Sequence, residues 1–131
     1  MFTGPTPYST SRAQVHSMAY ARVGVETGVD RASPHQLVAM LYSGLLDTLA
    51  RARGALREGQ VERKAAELTR AVRIVDEGLK AALNPAGGEL TKQLDGLYGY
   101  LALRLTQANL RNDEAAIAEC VALVEPLRDA W

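Results

Sequence analysis

The sequence predicts an all-α protein: an antiparallel up-and-down four-helix bundle with a short N-terminal helical or extended cap segment. Three observations carry that prediction. Apolar residues recur at three- and four-residue steps through four long stretches after residue 33. Turn-forming clusters separate those stretches at Gly59, at Asn84-Pro85 with Gly87-Gly88, and at Asn112-Asp113. No segment alternates apolar and polar residues over a useful length, as a half-buried strand would.

The elements follow in order. Residues 1–13 are rich in Ser, Thr, Pro and Gly and read as a flexible tail. Residues 14–32 read as a cap segment and linker. There Val15, Met18, Ala19 and Val23 fit a short helix by spacing, while Val23, Val25 and Val29 sit among Gly24 and Gly28. The bundle domain spans 33–131. It opens on Ser33-Pro34-His35-Gln36: an N-cap serine, a proline at the first helical position and a capping-box glutamine. Val38, Leu41, Leu45, Leu49, Ala52 and Leu56 then share one face. A second helix over about 60–83 aligns Val61, Ala65, Leu68, Val72, Val75, Leu79 and Leu83. A third over about 89–111 aligns Leu90, Leu94, Leu97, Leu101, Leu105 and Ala108. The fourth carries Ile117, Cys120, Val121, Val124 and Leu127, and Pro126 should kink or fray its end. Short connections between long amphipathic helices make sequential neighbours antiparallel.

Composition narrows the function. The 131 residues are 47% hydrophobic and 23% charged, enough to close one core in a single domain. Fifteen basic residues balance fifteen acidic ones, so the excess of positive charge that drives nucleic-acid binding is missing. No apolar run approaches the ~20 residues that cross a bilayer, and the start has neither the basic nor the apolar part of a secretory signal. One cysteine, Cys120, has no partner for an internal disulfide. The expectation is a small cytoplasmic domain that does not insert into membranes.

Catalytic constellations are also missing. His35 sits in a first helical turn, whereas a phosphotransfer bundle needs its histidine exposed in mid-helix. No inward-facing Glu-x-x-His pair suggests a di-iron bundle, so no metal or other cofactor is expected. Cys120 falls on an apolar face and reads as a buried filler rather than a nucleophile. Arg51, Arg53, Arg57, Arg63, Lys64, Arg70 and Arg73 interleave with Asp47, Glu58, Glu62 and Glu67 as a solvated, ion-paired face. The sequence reads as non-enzymatic.

What remains is a surplus of apolar residues. Stepping 100° per residue leaves Leu46, Ile74, Leu103, Leu110 and Leu123 off the core stripe. Small residues accompany them, among them Gly78, Ala81, Gly96 and Gly99. Large side chains beside missing ones make a shallow groove suited to an apolar partner segment. The same positions read alternatively as packing for the N-terminal segment or as a homodimer face. Tyr98 and Tyr100 point about 200° apart on the helix, with Tyr100 favoured as the groove residue.

Several stretches resemble the FliS family of flagellin-specific export chaperones. They include Val25-Glu26, Ala32 through Val38 with Met40-Leu41-Tyr42, and Glu77-Gly78-Leu79-Lys80. Further matches are Gly87-Gly88-Glu89, Leu97-Tyr98, Gln107 through Asp113, and the terminal Ala130-Trp131. The likeness runs over about 19–131, and residues 1–13 inherit nothing from it. It implies a cytoplasmic bundle that binds the disordered C-terminal segment of flagellin, prevents premature polymerisation and delivers the subunit to the flagellar type III export gate. It implies, as further partners, the gate's cytoplasmic domain and an anti-sigma factor. The implied flagellin groove takes Leu46, Ile74, Gly78, Ala81, Gly96, Tyr100, Leu103 and Leu110. Met18, Tyr20 and Val23 are the implied N-terminal cap or export-gate contact. The alternative is a self-associating bundle, or an adaptor for a different flagellar client.

Overall fold

A computed structural model of the chain describes residues 32–131. The tail at 1–13 and the cap segment up to residue 31, with Met18, Tyr20 and Val23, lie outside the described residues. Four helices follow: α1 (Pro34–Arg57), α2 (Val61–Arg73, continued by a π-helical turn at Ile74–Leu79), α3 (Gly88–Arg111) and α4 (Glu114–Ala130). No strand occurs among the described residues. Packing joins α1 to α2, α2 to α3, α3 to α4 and α4 back to α1, which leaves α1 diagonal to α3. This is the all-α four-helix bundle that the spacing predicts.

Most helix ends form where the sequence places them, for local reasons, while the second helix stops at Leu79, short of the expected 83. Ser33 Oγ accepts from Gln36 N at 3.1 Å, and Gln36 Oε1 accepts from Ser33 N at 2.7 Å. Two amides with no helical acceptor are thereby satisfied. Gly59 leaves α1 at φ 73°, a left-handed conformation that glycine takes without strain. Between α2 and α3, Asn84 O accepts from Gly87 N and from Thr91 Oγ1. A Cβ on Gly87 would lie 2.1 Å from Thr91 Oγ1, so this close turn needs glycine there. Asn112 turns left-handed at φ 51°, and Asp113 caps α4 by accepting from Ala116 N at 3.2 Å.

Two details differ from expectation. The helix that begins at Glu114 does not fray at Pro126; it runs through to Ala130, and Trp131 N still donates to Leu127 O at 2.9 Å. The missing donor costs one bond near the end, and contacts of Trp131 with His35 and Tyr42 hold the last turn. Within α2 the turn widens at Ile74–Leu79, where Lys80 N donates to Val75 O, five residues back, at 2.8 Å.

The core is built from Tyr42, Leu45, Leu49 and Ala52 of α1, Leu68, Ala71, Val75 and Leu79 of α2, and Tyr98, Leu101 and Leu105 of α3. Ile117, Cys120 and Val124 of α4 complete it. Each large side chain fully buried there contributes about 1.5–3 kcal/mol of transfer free energy. Expected core residues Leu41 and Leu97 are only half-buried at its edge. Val61 and Leu90 are exposed, since each lies in the first turn of its helix, beyond the end of the packed core.

Candidate functional site

The face of α3 that points away from the bundle is the candidate site. Leu94, Tyr98, Leu101, Leu105 and Ala108 turn inward. At 100° per residue Gly96, Leu103 and Leu110 fall on the opposite side, with Tyr100 on the α4 flank. Tyr100 is 41% exposed, Leu103 55% and Leu110 80%. Gly96 is also exposed, and a Cβ built on Gly96 or Gly99 would touch nothing within 4 Å. Apolar residues thus line both sides of α3, and among the described residues neighbours cover only one of them.

Tyr100 is held at the edge of this stripe by polar contacts. Its hydroxyl donates to Glu119 Oε2 on α4. Arg104 Nε donates to Glu119 Oε1 at 2.8 Å, and Arg104 Nη1 donates to Gln107 Oε1 at 3.1 Å. The hydrogen bond from Tyr100, then that from Arg104, holds the Glu119 carboxyl below its usual range. The same bond to Glu119 raises the Tyr100 phenol. The network leaves the ring at the surface while its polar end is satisfied.

The structure brings together Gly96, Tyr100, Leu103 and Leu110, and separates the other expected groove residues from them. Leu46 is 9% exposed and belongs to the core, which corrects its placement. It is buried because α1 packs on both α2 and α4, so its buried arc is wider than the single stripe assumed. Gly78 is buried as well. Gly78 stands three residues after Val75 and directly before Leu79, so the ordinary helical step already places it beside that buried pair. Ile74 is half-buried against the core on α2, as is Leu123 on α4, and Ala81 is half-buried just past the wide turn. Sequence reasoning passed over Met40, 47% exposed on the outer side of α1.

The charged face is more specific than helix-spaced pairing suggests. Arg53 Nη2 and Arg57 Nε on α1 both reach Glu114 Oε2 at the start of α4, at 3.3 and 2.8 Å. Arg51 Nε meets Glu67 Oε2 on α2 at 3.2 Å. These pairs join helices, whereas Arg73–Glu77 and Arg128–Asp129 each lie within one helix. The hydrogen bond from Arg57 does most to hold the Glu114 carboxyl below its usual range.

Nothing on the α3 face is set up for chemistry. Cys120 lies in the core, where burial pushes its thiol up to about 12, far from a reactive thiolate. The His35 ring stacks on Trp131 at 5.1 Å in the first turn of α1. Among the described residues no three His, Cys, Asp or Glu side chains gather as a metal site, and no helix is long and apolar enough to cross a membrane. The described residues thus define an all-α four-helix bundle whose third helix carries an apolar outer line.

The comparisons make that class specific. A family model described as Flagellar protein FliS matches residues 16–131. The flagellar secretion chaperone FliS of Salmonella typhimurium is 48% identical over 114 residues, covering 86% of this chain and 84% of the relative. The Escherichia coli protein of the same name is 42% identical over 88% of this chain and 85% of its own. The flagellar secretion chaperone FliSB of Pseudomonas aeruginosa is 39% identical over 86% and 89%. The chain belongs to the FliS family of non-enzymatic flagellar secretion chaperones.

Proposed function

We propose that the chain is a cytoplasmic export chaperone that holds the C-terminal segment of flagellin on the outer face of α3. The observation that carries this reading is the uncovered line of Tyr100, Leu103 and Leu110 opposite the core of a FliS-family bundle. A filament-forming segment aggregates through its own apolar face, and a reversible apolar partner prevents that. Gly96 gives the segment close approach, and the exposed parts of Ile74 and Ala81 on α2 extend the contact. Ordering a disordered client offsets part of the apolar gain, so the complex stays releasable. Release occurs at the type III export gate, whose cytoplasmic domain is the second partner; an anti-sigma factor is a third. Met18, Tyr20 and Val23 serve as an N-terminal cap of the bundle when the client is absent, or contact the gate.

Isothermal titration of the full chain with the C-terminal segment of flagellin from the same genome tests the reading. The expected result is a one-to-one complex with a negative heat-capacity change. Leu103→Glu and Leu110→Glu should each weaken it at least tenfold with the fold intact. Absence of both heat and a complex on size exclusion overturns it.

A further inference from the structure

The outer line of α3 is uncharged from Gly96 to Leu110, and Lys92 continues it one turn before Gly96, within about 20° of Leu103 round the helix. Lys92 is exposed and forms no ion pair among the described residues. The other charges about the line are engaged or favourably placed. Asp95 meets Lys80 at 3.8 Å, and Arg104 meets Glu119 at 2.8 Å. Glu89 lies in the first turn of α3 and Arg111 in the last, where each complements the helix dipole. Lys92 stands near the positive end of that dipole and gains nothing from it. Gly96 and Gly99 lie inside the helix, where glycine is less stable than alanine, and neither takes a left-handed backbone. A Cβ on either would touch nothing within 4 Å, so packing among the described residues does not require glycine there. The same holds for Gly44 and Gly54 on α1, but Met40 is the one large apolar side chain exposed on that helix. On α3 the two glycines leave a recess between Lys92, Tyr100 and Leu103.

We propose that this face selects a helical client segment that carries an acidic residue one turn from a bulky apolar one: the carboxylate pairs with Lys92, and the apolar side chain fills the recess over Gly96 and Gly99. The inference rests on the reading that a client segment lies along α3, and adds which residues that segment carries. Lys92 and Gly96 are about 6 Å apart along the axis at 1.5 Å per residue. On a helix lying nearly along α3, the acid and the bulky residue therefore stand three or four positions apart. Beyond them Leu103 and Leu110 protrude at seven-residue spacing, and the client meets them with small side chains. An apolar stripe alone accepts a helix in either direction, whereas the acid fixes which end lies at the start of α3. An exposed ion pair adds little affinity, and its effect is to choose the partner and its direction.

Titration of the full chain with the C-terminal segment of flagellin tests the proposal, with each Asp and Glu of the segment replaced by Lys in turn. At low salt Lys92→Gln should weaken the complex about two- to fivefold, as loss of an exposed pair does, and Lys92→Glu about tenfold. One acid-to-Lys segment should bind the parent chain about tenfold more weakly and recover against Lys92→Glu. Both effects should shrink at high salt. Gly96→Leu should weaken binding about tenfold by filling the recess. It should melt no lower than the parent, because leucine is the better helix former. Affinity unchanged by Lys92→Glu, or no acid whose loss that variant recovers, would overturn the proposal and leave the client reading in place. A parent chain that binds no segment would overturn the client reading, and this inference with it.

Discussion

The hydroxyls of Tyr42 and Tyr98 meet at 2.6 Å across the diagonal of the bundle, one donating and the other accepting. Both side chains are buried, so each is the other's remedy for a phenol taken out of water. Removing one leaves a polar group without a partner, which costs about 1–3 kcal/mol, whereas replacing both by apolar groups is close to neutral. Tyr42→Phe and Tyr98→Phe should therefore each lower stability by about 1–3 kcal/mol. The double variant should lose clearly less than their sum. Urea unfolding of the four proteins measures the coupling, and strict additivity would show that the contact has no energetic role.

The same burial sets the behaviour in base. Burial raises both phenols, chiefly by desolvation, and pushes the Cys120 thiol up to about 12. In each case the folded chain holds its proton more tightly than the unfolded chain. Their stabilising effect is complete below the unfolded values, about 8.5 for a thiol and about 10 for a phenol. It is lost as pH rises through those values toward the folded ones. The urea midpoint should fall between about pH 8 and about pH 11. Cys120→Ala should show a shallower fall relative to its own midpoint at neutral pH, and an identical slope would remove the thiol from the account.

The helices were legible because their signals are local. Ser33 and Gln36 close the box that their spacing specifies, and Gly59 and Asn112 turn where the apolar period breaks. Tyr98 and Tyr100 divided between core and surface as the helical step requires. Leu46 was misplaced because the width of a buried arc depends on how many neighbours a helix has, and a single helix does not carry that information. Gly78 shares the buried side of Val75 and Leu79 at ordinary helical spacing, but a residue without a side chain does not register in an apolar stripe. The outer line of Leu103 and Leu110 was readable, since two apolar faces on one helix cannot both be core of a single bundle.

Leu101 and Leu103 separate stability from partner binding within two residues of α3. Leu101 is fully buried and Leu103 is more than half exposed. Leu101→Ala should cost about 2–5 kcal/mol, by lost transfer energy and the cavity left behind. Leu103→Ala should stay within about 0.5 kcal/mol of the parent. Comparable losses at both positions would mean that the outer face is covered in the free protein.

Lys64 is a cation with only 2% of its surface exposed, and its partners are neutral. Its Nζ donates to the Asn109 carbonyl at 2.9 Å and to Asn109 Oδ1 at 2.7 Å, near the end of α3. Carbonyls of a last helical turn lack intrahelical donors and carry the negative end of the helix dipole, so an ammonium suits them. Lys64→Met keeps much of the packing and removes the charge, and should cost about 1.5–3 kcal/mol. A methionine variant as stable as the parent would mean that these bonds only offset the desolvation of the lysine.

Trp131 closes the end of the bundle where α1 begins. Its Nε1 donates to the His35 carbonyl at 3.0 Å, its ring stacks on the His35 imidazole, and its face-to-edge contact with Tyr42 spans 5.5 Å. These contacts tie the last residue of the chain to the first turn of α1, while the indole remains 36% exposed. An anchor at a helix terminus opens more easily than the core, because fewer buried contacts resist it. Trp131 is the only tryptophan in the sequence, so fluorescence excited selectively in the indole reports on this anchor alone. With rising urea its emission should shift red before the far-ultraviolet helix signal is lost. Trp131→Ala should lower the overall midpoint modestly, by an amount near the about 0.5–1.5 kcal/mol of an aromatic pair. Coincident fluorescence and helix transitions would instead make the anchor part of the single cooperative unit, held as firmly as Tyr42 beneath it.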